Sequence, residues 1–413
     1  MVSKSIWVYA DWLATQPPKL VGRLEVDLVR GNEVYRFAYA STWLDSPLAV
    51  QIDPELQLFS GDQFNNDARN FRVFLDSCPD RWGRLLMQRR EAVVARQEGR
   101  RLANLNESDY LLGVHDTFRM GGLRFKLQED GPFLDDNQQF AAPPLSNLRE
   151  LEFAVSQIEL QPDLDNPDYL KWLYMLISPG SSLGGARPKA CVMDGEELWL
   201  AKFPSRYDDY DIAAWEYLLY RMAVDAGIEM APCRIQRFNS PHHTFLTQRF
   251  DRVGSLRRHF SSAMTQLGYY DGDAGASYLE LAQFLTEQGA NTQQDLHQLW
   301  RRMVFNILVS NADDHLRNHG FLLAENNSGW QLSPAYDINI SLGAAGLHLN
   351  IDEYSNALDL DLALDVSPYF QMSSSEARLI LDQLQKVTRQ WQHYANEIGI
   401  HRQEQQLIAS AIM

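Results

Sequence analysis

Cysteine is scarce in this sequence: three in 413 residues, at Cys78, Cys191 and Cys233. An odd, widely spaced set does not make a disulfide framework and suits a reducing compartment. Long apolar runs are missing too. None approaches the roughly 20 residues that cross a bilayer, and the opening residues lack the apolar core of a signal peptide. A cytoplasmic protein with no membrane contact is expected. Positive charge is also short: 37 Lys and Arg face 54 Asp and Glu, for a net charge of −17. A surface this acidic repels nucleic-acid phosphates, so direct DNA binding by this chain is not expected. Internal repeats and low-complexity tracts are absent.

What is present is a 45% hydrophobic composition with 10 Trp, enough for one large two-lobed domain or two to three ordinary ones. Residues 6–10, 20–29 and 34–39 read as strands, with a hairpin turn over Arg30-Gly31-Asn32-Glu33. Residues 81–101 read as a helix carrying seven arginines, most simply a solvated face. Residues 148–160 form an amphipathic helix within an acidic, proline-interrupted connection. Short strands return over 185–250, interrupted by a helix at 212–226. Helical periods dominate after residue 276. The last helix opens on a Ser373/Glu376 capping box and continues through Ile380, Leu384, Val387, Trp391, Ala395 and Ile398. Strands early and helices late predict an α+β, two-lobed, kinase-like fold with a mainly helical C-terminal lobe. The expected divisions are a β-rich subdomain at 1–105, a nucleotide-binding lobe at 106–255 and a catalytic lobe at 256–413.

Chemistry concentrates in Asn311-Ala-Asp313-Asp314-His315-Leu-Arg317-Asn318, followed by Pro334-Ala-Tyr336-Asp337. The apolar helix ending near Leu308 should deliver Asp313 to a loop. Asp313 and Asn318 stand five apart, the Asp-x4-Asn spacing of protein-kinase catalytic loops. Phosphoryl transfer needs a carboxylate to orient or deprotonate the attacking hydroxyl, and a neutral oxygen plus a second carboxylate to hold magnesium against the triphosphate. A hairpin of residues 320–324 and 330–332 should bring Asp337 back beside Asn318. Two other readings stand beside this one. The polar residues simply cap a helix, or His315 and His319 ligate zinc, although no His-Glu-x-x-His motif or cysteine pair supports that. His315 fits better as a structural hydrogen-bonder bracing the loop.

Upstream, Ser181-Ser182-Leu-Gly184-Gly185-Ala-Arg187-Pro-Lys189 can bring backbone N–H groups close to phosphate, although it is neither a Gly-x-Gly-x-x-Gly nor a Walker loop. An ordinary glycine-rich turn is the plain alternative. Lys202 ends an apolar strand as a phosphate-gripping lysine does. Glu216 shares a helix face with Ile212, Leu219 and Ala223; it either pairs with Lys202 or reaches water at the rim of that face.

Together, Ser182–Lys189, Lys202-Phe-Pro204, Gln248-Arg249-Phe250-Asp251-Arg252, Ala312–Asn318 and Pro334–Asp337 resemble, in order, the motifs of HipA-like kinases. Val8-Tyr9, Phe74–Asp80 and Arg119–Phe125 extend the likeness across nearly the whole chain. The resemblance implies an ATP- and Mg2+-dependent serine/threonine kinase, the toxin of a toxin–antitoxin pair. Its substrate would be a cellular protein, aminoacyl-tRNA synthetases being known family targets. A small helix-turn-helix antitoxin would supply the DNA contacts, with this chain touching DNA only indirectly. By the same resemblance Asp313 is the catalytic base, Asn318 and Asp337 hold magnesium, and Lys202 binds phosphate. Gly184 and Gly185 line the phosphates, Gln248, Arg249 and Phe250 run along the adenine, and Ser182 is autophosphorylated. The chain departs from the family loop at Gly184, where Ser or Ala is usual, and at Arg187, where Gln is usual. A small-molecule phosphotransferase would use the same Asp-x4-Asn and later Asp.

Overall fold

The computed structural model describes residues 3–12, 15–65, 70–136, 143–160, 166–177, 185 and 187–413. Ser182 and Gly184 lie outside the described residues. The chain divides into two compact units. One comprises Met1–Tyr207, Asp251–Ser261 and Glu325–Asn327; the other comprises Asp208–Phe250, Ser262–Ala324 and Ser328–Met413. The fold class is α+β, sheet-rich early and mainly helical late, as the order of elements predicts.

The first unit is built on an antiparallel sheet of β1 (Ser3–Ala10), β2 (Lys19–Val29), β3 (Asn32–Tyr39), β4 (Gln63–Phe64) and β5 (Leu123–Lys126), in the order β4-β3-β2-β1-β5. Alternation drives it. Ile6, Val8 and Ala10 of β1, and Tyr35, Phe37 and Tyr39 of β3, are buried on one face. Phe37, Phe74 and Phe125 then join at centroid separations of 5.7 and 6.0 Å. The hairpin turn is tighter than the sequence suggests. Pairing runs on to Val29 and Asn32, so only Arg30 and Gly31 turn, with φ of 52° and 88°. Positive φ at both positions is the I′ pattern, whose twist matches the strands.

Helix α1 (Arg81–Gln97) starts where the Asp80 carboxylate accepts the Gly83 N–H at 2.8 Å. It stops four residues short of the expected end. Gly99 takes φ +62° while the Arg100 and Gly99 N–H groups bond to the carbonyls of Ala95 and Arg96, a Schellman closure. Helices α2 (Leu148–Glu159) and α3 (Pro167–Ile177) follow, then the hairpin of β6 (Lys189–Asp194) and β7 (Glu197–Lys202), in which Lys189 and Lys202 are paired in register.

The second unit contains α4 (Ile212–Asp225), the hairpin of β8 (Cys233–Arg237) and β9 (His243–Gln248), α5 (Tyr278–Gln288) and α6 (Thr292–Leu308). The hairpin of β10 (Gly320–Leu323) and β11 (Trp330–Leu332) comes next, then α7 (Ser374–Thr388) and α8 (Trp391–Ile398). Helix α6 is the axis of this core: Leu299, Trp300, Met303, Val304, Phe305, Ile307 and Leu308 are all at most 1% exposed. The Ser373/Glu376 capping box forms as expected. The single last helix does not, for Arg389 and Gln390 separate α7 from α8. Trp391 then packs near Trp215 at 6.0 Å, and the Tyr394 hydroxyl donates to Asp225 at 2.6 Å. These contacts to α4 redirect the chain although the apolar spacing never loses phase. Among the described residues, no helix is long and apolar enough to cross a membrane.

Candidate active site

The buried helix α6 ends in an unusual way. Ser310 adopts φ +51°, and the Asn311 N–H bonds back to the Asn306 carbonyl at 2.9 Å. This is a Schellman-type stop with serine where glycine is usual. A left-handed residue other than glycine costs of order 1 kcal/mol and persists only where its surroundings hold it. Here they do: Ser310 O accepts the Ser341 N–H at 3.0 Å, and Ser341 Oγ accepts the Ala312 N–H at 3.2 Å. The stop throws Asp313 outward, its side chain 66% exposed.

Asn318 closes the loop. Its backbone N–H bonds to the His315 carbonyl at 2.8 Å, and its Nδ2 donates to the Asp313 carbonyl at 2.7 Å. Committing Nδ2 in this way leaves the side-chain Oδ1 as the neutral oxygen donor. The β10–β11 hairpin returns the chain, with Phe321 opposite Leu332, as the sequence predicts. Tyr336 is fastened to the loop through its hydroxyl, which donates to the Arg317 carbonyl at 2.7 Å. Asp337 follows with φ +56° and accepts from Asn339 Nδ2 at 3.0 Å. Phe250 packs near Tyr336, with ring centroids 5.4 Å apart. Thus Asp313, His315, Asn318, Tyr336 and Asp337 are gathered on one short path of the second unit, with Phe250 alongside.

His315 contributes differently from expectation. Its brace is the backbone carbonyl, while its ring Nδ1 is buried with no hydrogen-bond partner among the described residues and Nε2 lies 3.7 Å from Asp313 Oδ1. Burial lowers its pKa, against the opposing pull of Asp313 and Asp337. His319 is buried with its pKa pushed down to about 3. Among the described residues no three His, Cys, Asp or Glu side chains cluster as a metal group, so the zinc alternative finds no donor set. The donors suit magnesium better: one amide oxygen and one carboxylate leave most positions to water and phosphate, as that ion prefers.

The other sequence-predicted residues are placed separately. In the first unit, Gly185 has φ +103°, a conformation that favours glycine, while a Cβ there would meet only the movable end of Lys189 at 2.9 Å. Lys189 is 2% exposed and sits 3.0 Å from the buried Asp80 carboxylate. Arg187 donates to the Phe203 carbonyl at 3.5 Å. Lys202 ends β7 at 8% exposure. In the second unit Glu216 is only 6% exposed, which removes the reading of a carboxylate at a wet rim. Gln248 ends β9 with its N–H on the Pro232 carbonyl at 2.9 Å, and Arg249 beside it is buried.

Sequence reasoning missed a set of polar residues behind the loop. Asp314 is 1% exposed; its Oδ2 accepts from the Tyr278 hydroxyl and its Oδ1 from the His348 N–H, both at 2.6 Å. Burial raises its pKa to about 6 despite these bonds. Asn306 Nδ2 donates to Tyr278 Oη at 2.9 Å, and Asn311 Nδ2 to Asn306 Oδ1 at 3.0 Å. Asn306 carries a faint signal, an amide inside an apolar helix; Tyr278 carries none.

A family model described as "HipA-like C-terminal domain" matches residues 181–391, a little over half of the chain. The chain belongs to the HipA-like family. A Haemophilus influenzae protein described as "Putative kinase" is 25% identical over 181 residues, covering 38% of this chain and 52% of that protein. A Sinorhizobium fredii protein, "Putative kinase Y4mE", is 25% identical over 149 residues, covering 34% of this chain and 33% of that protein. The chain therefore spans about half or less of the length of these curated relatives. HipA of the Shewanella oneidensis MR-1 toxin–antitoxin system, solved with HipB and operator DNA, shares 17% identity at a TM-score of 0.63. The match covers 98% of this chain and 94% of that one, so the likeness in fold to HipA runs through nearly the whole chain.

Proposed function

We propose that this HipA-like chain is an ATP- and Mg2+-dependent protein kinase that modifies serine or threonine of a cellular protein. The observation that carries the reading is the convergence of Asp313, Asn318 and Asp337 through one helix stop and one hairpin. Family membership supports it. Asp313, exposed at the loop, would accept the proton of the acceptor hydroxyl as that oxygen bonds to the γ-phosphorus and the bond to the leaving ADP breaks. Asn318 Oδ1 and the Asp337 carboxylate would hold magnesium, which neutralises charge on the triphosphate. Lys202, Gly184 and Gly185 would grip the phosphates, Gln248, Arg249 and Phe250 would border the adenine, and Glu216 and His315 would support them. Ser182 would be the autophosphorylated residue, a new dianion beside nucleotide phosphates favouring release of the loop.

The likeness to a HipA solved with HipB and operator DNA supports a role as the toxin of such a pair. A small helix-turn-helix antitoxin would then bridge to DNA, which suits a chain of net charge −17. The deciding experiment compares two variants. Asp313→Ala should abolish phosphate transfer yet bind Mg-ATP with unchanged affinity by calorimetry, whereas Asp337→Ala should lose both. Equal nucleotide affinity in the two would refute the division of roles. Mass spectrometry after incubation with Mg-ATP should find phosphate on Ser182, absent from Asp313→Ala.

A further inference from the structure

The polar residues behind the loop form one continuous path. It starts at Asp337, whose Oδ1 accepts from Asn339 Nδ2, and the Asn339 N–H donates to Asn311 Oδ1 at 3.3 Å. From Asn311 it passes through Asn306 to the Tyr278 hydroxyl and on to Asp314, the residue after the proposed base. Asp314 then accepts the backbone N–H of His348. Further along, Asn350 is laced to the start of α5: its N–H bonds to Ala276 O and its carbonyl accepts from the Tyr278 N–H, both at 2.9 Å. Beyond it the chain turns back, Ile351 N–H to Ser355 O and Leu347 N–H to Asn356 O, both at 2.7 Å. Tyr354 stands 89% exposed at the tip of this turn.

Tyr278 is a junction of this path. It is fully buried, its hydroxyl donates to Asp314 while accepting from Asn306, and its backbone holds Asn350. A Tyr in the first turn of a helix needs no buried hydroxyl to hold the helix; phenylalanine would fill the same space. The hydroxyl therefore serves the polar path. We infer that Tyr278 is a positioning residue: acting through Asp314, it fixes the segment His348–Asn350 against the Asp313 loop and so sets the attitude of the base. The inference rests on the kinase reading for its effect on rate, and on geometry alone for its effect on order.

The test uses Tyr278→Phe, which keeps the ring, and Asp314→Asn, in the full chain. Hydrogen exchange read by mass spectrometry should speed up about tenfold or more across residues 346–351, with the β10–β11 hairpin unchanged, since one hydrogen bond to a charged group is lost. ADP release from Mg-ATP should fall about tenfold or more in turnover, with nucleotide affinity by calorimetry unchanged. The double variant should lose no more than the worse single one, because both break the same link. Unchanged exchange at 346–351, a uniform rise throughout the unit, or additive losses would overturn the inference. If the unaltered chain releases no ADP, the kinase reading falls, and the exchange measurement still decides the positioning role.

Discussion

Buried charge is handled in opposite ways around Asp116 in the first unit and around Asp314 in the second. In the first it is paired. Arg124 lies 2.8 Å from Asp11 and 3.0 Å from Asp116; Arg257 reaches Asp116 at 3.4 Å; Lys189 meets Asp80 at 3.0 Å. Arg119, fully buried, donates to the carbonyls of Ser77, Leu111, Val114 and Leu134. Around Asp314 in the second unit the partners are a phenol and a backbone N–H, with amides behind them, and among the described residues no cation pairs with it. Charge pairs are strong but tolerant of angle, whereas hydrogen bonds from neutral donors are directional. The first arrangement holds a scaffold together. The second fixes the orientation of a loop at a modest cost in stability, and among the described residues Asp313 makes no ion pair with Arg or Lys.

The largest expected effect breaks the paired region. Asp116→Asn keeps the shape but leaves Arg257 and Arg124 short of a counter-charge, and removal of one partner from a buried pair costs about 3–5 kcal/mol. Urea denaturation of the full chain followed in the first unit should register it. A loss under 1 kcal/mol would mean that Asp11 alone can balance both arginines.

The second effect is a sign. Burial pushes the Asp116 pKa up, but Arg257 and Arg124 outweigh it and hold the group below its usual value. Its folded pKa thus lies below the unfolded one. The stabilisation is present above about pH 4 and lost as pH falls further. Asp314 is the reverse: burial raises its pKa to about 6, so its contribution is fully present below about pH 4 and lost as pH rises through 6. Relative to the unaltered chain, Asp116→Asn should therefore be most damaging near neutrality. Asp314→Asn should be most damaging near pH 4. Denaturation midpoints across pH 3–7 test this, and parallel profiles would erase the distinction between the two regions.

The smallest effect lies outside both. The Ser373 hydroxyl accepts the Glu376 N–H at the exposed start of α7, and Ser373→Ala should cost about 1 kcal/mol. Thermal denaturation measures it, with activity unchanged. A fall in ADP release would show that the helical end is coupled to the site after all.

Much of the site was readable in the sequence because its cues are local. The apolar period of α6, the polar run after it and the two short strands beyond each declare themselves within a dozen residues. Together they already place Asp337 near Asn318. The end of α1 was readable in principle from Gly99, although the arginine pattern carried the expectation past it. Tyr278 was not readable: it lies 36 positions from Asp314, and nothing around it distinguishes its hydroxyl from that of any core tyrosine.

The elements, their order, the hairpin that closes the loop and the residue types at the candidate site are written in the chain itself. These follow from period, turn chemistry and charge, which act between near neighbours. Long-range packing set the places where those elements yield. It broke the last helix at Arg389-Gln390 so that Trp391 and Tyr394 could meet α4, and it bent Ser310 and Asp337 into left-handed conformations. It also assembled the path from Asp337 to Asp314. Each of these outcomes depends on hydrogen bonds and contacts between residues distant in the chain, whose free energy exists only once the core has brought them together.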